Sequence, residues 1–94
     1  MMEYITDTII NEVIDQMPKK FDSHDFFKKI TRLFPSDYVR ELCRFKNQDD
    51  PFFVLHPMIA RKLASNDRLR QMGKVDSPNI GGNSTSNEYW EKIE

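Results

Sequence analysis

A single cysteine, Cys43, is the only thiol in the chain, so no intrachain disulfide can form and a reducing compartment suits the sequence. No apolar run approaches the roughly 18 residues of a membrane span, and the amino terminus is acidic where a signal peptide is basic. These absences point to a cytoplasmic protein. Also missing are any CxxC or HExxH spacing, any G-x-S-x-G and any phosphate-binding loop. Metal, acyl-transfer and nucleotide chemistry therefore have no recognisable carrier, and the expectation is a protein that is no enzyme and holds no cofactor and no metal. Lys and Arg are absent from residues 1–18 and again from Asp76 to Asn87.

What is present is one domain's worth of chain. Ninety-four residues suffice to bury roughly 60 to 65% of the unfolded surface without a metal or disulfide staple, and residues 1–94 read as a single domain. The net charge of −1 conceals a gradient. Residues 1–18 carry only acids, residues 19–75 carry thirteen Lys and Arg against seven Asp and Glu, and residues 76–94 carry one Lys against four acids. A basic middle between acidic ends could form one positive face, as a nucleic-acid binder needs. The pI near 6.1 lies well below what would make that case by itself.

Helical spacing of Ile5, Ile9, Ile10, Val13, Ile14 and Met17 predicts a first helix over about Met2 to Met17, ended by Pro18. Lys19 to Phe21 follow as a short extended connector. Asp22 and Ser23 are good caps for a second helix to about Phe34, whose stripe is Phe26, Phe27, Ile30, Leu33 and Phe34. Pro35 stops it. Ser36 caps a third helix over Asp37 to Phe45, with Tyr38, Val39, Leu42, Cys43 and Phe45 as inward residues, and Lys46 to Pro51 is a polar loop. Phe52 to Leu55 is an apolar run before His56-Pro57, and Pro57 suits the first position of a fourth helix to Ser65.

Leu69 to Ile93 reads as a β-hairpin with a long tip. Leu69 to Val75 and Tyr89 to Ile93 have strand content, while Asp76 to Asn87 collects Pro78, Gly81, Gly82 and three Asn. Trp90, Ile93, Val75 and Leu69 are expected to pack the hairpin onto a core containing Val13, Phe26, Ile30 and Leu63. Only Ile80 offers the tip an apolar anchor. His24 and His56, at expected helix starts, read as capping or packing residues, and Cys43 as a buried packing residue.

The fold class is thus mainly α with a small β-hairpin (α+β). The order helix, short strand, helix, helix, helix, hairpin resembles the winged helix-turn-helix superfamily over nearly the whole chain. The residues Phe21, Ser23-His24-Asp25-Phe26, His56, Ile59, Leu63, Gly73-Lys74-Val75, Ser77, Asn79-Ile80, Gly82-Asn83-Ser84, Trp90 and Lys92-Ile93 look closest to small uncharacterised bacterial and phage proteins of that fold. The resemblance implies about four helices with a carboxy-terminal wing of two or three strands. It also implies double-stranded DNA as partner, bound by a regulator or accessory factor. The reading helix would then be the fourth, offering Arg61, Lys62, Ser65 and Asn66 and supported by Arg70 and Lys74; if the third helix reads instead, Arg40, Arg44 and Lys46 take that role. Winged helices also serve as protein-docking modules, and a wing without cations fits that alternative.

Overall fold

The computed structural model describes residues 2–93. Its order is α1 (Asp7–Gln16), β1 (Lys20–Asp22), α2 (Ser23–Leu33), α3 (Pro35–Cys43), α4 (Pro51–Ala64), β2 (Leu69–Pro78) and β3 (Ser84–Lys92). The α+β class holds, with four helices and one antiparallel sheet of order β1-β3-β2. The connector after α1 does pair: Phe21 lies opposite Trp90. No helix among the described residues is long and apolar enough to cross a membrane.

One core joins the layers. Val13 and Ile14 of α1, Phe26 and Ile30 of α2, Leu55, Ile59 and Leu63 of α4, and Trp90 of β3 are all withdrawn from water. The α4 residues lie four apart, so a single stripe faces inward along the helix. Trp90 also anchors the sheet to α2, because its indole Nε1 donates to Ser23 Oγ at 2.9 Å and that hydroxyl donates to the Glu88 carbonyl.

Several expectations need correction. The first helix starts at Asp7, not Met2, because Thr6 caps it and the backbone of residues 3–5 is instead drawn to Glu41. Helix α3 begins at Pro35, and Ser36 is not its cap. Tyr38 and Glu41 face inward, which turns Val39 and Cys43 to solvent; the expected buried cysteine is exposed. Leu33 and Ile93, expected inside, are also exposed, Ile93 by 49%.

The fourth helix starts six residues earlier than expected, at Pro51. Asp50 caps it by accepting from the Phe53 N–H, so Pro51 takes the position assigned to Pro57, and Pro57 lies inside the helix. The hairpin tip is likewise shorter than Asp76 to Asn87. Both strands run on to Pro78 and Ser84, leaving only residues 79–83 as a turn. Asn79 closes that turn through its side-chain oxygen, which accepts from the N–H groups of Gly81 and Asn83, and Gly82 supplies the positive φ of 88°. A bulge between Gln71 and Lys74, with Gly73 at φ 104°, interrupts the ladder of β2.

Candidate functional site

The side chains expected to contact a duplex are spread over several elements, and four of the seven cations among them already pair with a carboxylate. Lys62 lies 3.1 Å from Asp7, Arg70 2.8 Å from Glu91, Lys74 3.8 Å from Glu88, and Arg44 2.7 Å from Glu41. Ser65 returns its hydroxyl to the Lys62 carbonyl, and Asn66 bonds Asn11 while accepting from the Arg68 N–H. Lys62, Ser65 and Asn66 do come together, but in a small polar hollow of about 360 Å³ shared with Asp7 and Asp67. Arg40, Lys46 and Arg61 are exposed, on α3, the turn after it and α4.

A larger concavity, about 830 Å³, opens between the amino-terminal half of α4, the start of α2 and the hairpin tip. Its apolar lining comes from Phe27, Phe52, Phe53, Pro57, Ala60 and Ile80. Phe53 is 76% exposed, and Phe52 and Ile80 are also open to solvent. Adjacent Phe52 and Phe53 on a helix cannot both face the core, a signal the sequence did carry once α4 is extended back to Pro51.

The floor of this groove is polar and fully paired. His24 accepts nothing at Nδ1, which donates toward the Ser77 carbonyl at 3.1 Å, while Nε2 lies 3.3 Å from the Thr85 hydroxyl. Asn87 accepts from the His24 N–H and donates to the Val75 carbonyl and Ser77 Oγ. These bonds lock both hairpin strands onto the first turn of α2. They explain why a stretch rich in Ser, Thr and Asn continues as strand.

His56 forms one wall. Its ring stacks on Phe27 with centroids 4.2 Å apart, meets Phe52 edge-on, and lies with Nε2 2.7 Å from the Tyr38 hydroxyl, which donates to it. Burial pushes the imidazole down to about 4, helped by His24, and burial pushes the Tyr38 phenol up to about 12. Neither histidine starts a helix as a cap. The wall is a packed, uncharged unit at neutral pH.

A depressed histidine has a stability consequence of definite sign. The unfolded chain takes up the proton near its ordinary 6.5 whereas the native imidazole resists until about 4, so stability is complete above pH 7 and falls as pH drops from 6.5 toward 4. Denaturant melts across this range should show a loss on the order of 2 kcal/mol that His56→Phe abolishes. An unchanged slope in that variant would assign the acid loss to other groups.

Among the described residues no cluster of three His, Cys, Asp or Glu is placed to hold a metal. Comparison of the chain with protein-family models, curated proteins and solved structures gave no match.

Proposed function

We propose that this chain is a non-enzymatic winged-helix module that docks a segment of a protein partner in the groove between α4 and the hairpin. The element order and the placement of β3 between β1 and β2 support the winged-helix reading, in which α4 occupies the recognition position and β2–β3 form the wing. The observation that carries the docking reading is the exposed face of α4. It presents Phe53, Pro57, Arg61 and Ala64, three apolar residues to one cation, beside an apolar groove. A helix that reads base edges needs polar and cationic side chains there.

Exposed aromatic surface beside a concavity is the usual anchor of a protein interface. From Ser77 to Asn87 the wing adds hydrogen-bonding Ser, Thr and Asn groups and no charged side chain. Three of the cations expected at a duplex, Lys62, Arg70 and Lys74, sit beside acids that would repel phosphate. The lone cysteine suits a reducing compartment such as the cytoplasm.

Two measurements separate docking from duplex binding. A photo-crosslinking residue at Phe53 should capture one discrete protein in cells, and Ile80→Glu should abolish capture while the thermal transition stays in place, since Ile80 is exposed. Titration with random duplex should give no saturable binding at moderate salt. Saturable duplex binding with a slope of log K against log salt of roughly −4 to −5, lost in Arg61→Glu/Lys62→Glu, would replace the docking reading with regulation on DNA.

A further inference from the structure

Strand β3 lies in the middle of the sheet, so β2 is bonded along one side only and its other edge is open. An open edge of this length invites another strand. The bulge between Gln71 and Lys74 interrupts its first half, but from Lys74 to Pro78 the strand is regular, running from the Lys74–Glu88 pair to the Pro78–Ser84 pair. Ser77 bonds His24, so Val75 and Ser77 face α2 and are half-buried, while Lys74, Asp76 and Pro78 face solvent. Asp76 has no ion-pair partner among the described residues.

We propose that this edge pairs antiparallel with the same edge of a second copy of the chain, joining two three-stranded sheets into one of six strands. A twofold axis normal to the sheet keeps outward side chains opposite outward side chains, so the axis must pass through a residue. Centred on Val75, the pairing sets Lys74 opposite Asp76 of the partner subunit, twice by symmetry. Moving the axis by one residue places Lys74 against Lys74 or Asp76 against Asp76. Like charges directly opposite are unfavourable and unlike charges favourable, so the charge pattern selects one register.

The contact is confined to one strand edge, small beside the roughly 800 Å² per partner of a stable complex, so the dimer exchanges with monomer. It uses the wing's outer edge, and of its two charged residues Asp76 lies outside the groove while Lys74 also lines it, so Asp76→Lys is the variant that tests the edge apart from the groove. Sedimentation of the full chain from ~10 µM to ~1 mM at low salt should show mass rising toward the dimer, with amide exchange slowing at residues 74–77. Asp76→Lys alone and Lys74→Asp alone should each weaken association at least tenfold, with thermal transitions checked for each. An equimolar mixture of the two should recover it, because the mixed pair is again complementary. A monomer throughout the range, an Asp76→Lys variant that associates like the wild type, a mixture that stays monomeric, or exchange slowed elsewhere but not at 74–77 overturns the proposal.

Discussion

Trp90→Ala is expected to remove about 3 to 5 kcal/mol, a large share of the total stability of a domain this size. The indole is 2% exposed, faces Phe21 of β1 and Gln71 of β2 from the central strand, and donates to Ser23. Its loss therefore opens a cavity at the joint of all three strands and leaves the Ser23 hydroxyl without its donor. Urea denaturation would measure the effect. Trp90→Phe refills most of the volume but not the hydrogen bond, so it should recover all but about 1 to 2 kcal/mol. A loss under about 1 kcal/mol in the alanine variant would mean that the sheet does not rest on this residue.

Glu41→Ala should cost about 3 kcal/mol, because it strips the partner from several groups at once. The carboxylate is completely buried and accepts from the backbone N–H groups of Glu3, Tyr4 and Ile5 and from the Arg44 guanidinium. Burial alone would raise its pKa, but the bonds from Ile5, Arg44, Tyr4 and Glu3 outweigh it and hold the group below its ordinary 4.5. Since the native value is the lower one, this stabilisation is complete above about pH 4.5 and is lost as pH falls through the native value. Acid unfolding in that range should flatten in Glu41→Ala, separately from the His56 effect at higher pH. Amide exchange at Tyr4 and Ile5 should speed up before the rest of the core responds, and equal acceleration everywhere would refute a local anchor.

The sequence carried what depends on neighbours along the chain. Asp22 caps α2 as its side chain predicts, and Phe26 and Ile30 point inward as their spacing requires. The burial of Trp90 followed from its place in the last strand of a small domain, whereas the pairing of β1 was an expectation of the winged-helix resemblance. What failed depended on contacts between distant residues. Pro51 and Pro57 both suit a helix start, and burial of Leu55 against the core decides between them. Ser77, Thr85 and Asn87 look like turn residues until His24 is placed beside them. Glu41 shares the inward side of α3 with Tyr38, a spacing that could have flagged it, but nothing local says that residues 3–5 would supply its donors. The groove was illegible for the same reason: Phe52 and Ile80 are 28 positions apart and meet only after the hairpin folds back.

The central position of β3 also fixes when this domain can form. Lys20 to Asp22 pair only with Tyr89 to Glu91, and Ser23 finds its indole donor on that same strand. As the chain leaves the ribosome, α1, α2, α3 and α4 emerge before the strand that ties β1 to β2. Until it arrives the sheet has no middle, and loops of roughly 70 residues must close together at the end. Folding is therefore late and concerted during synthesis, and any product truncated before Ser84 leaves four amphipathic helices with no sheet to pack on, a substrate for chaperones and proteases.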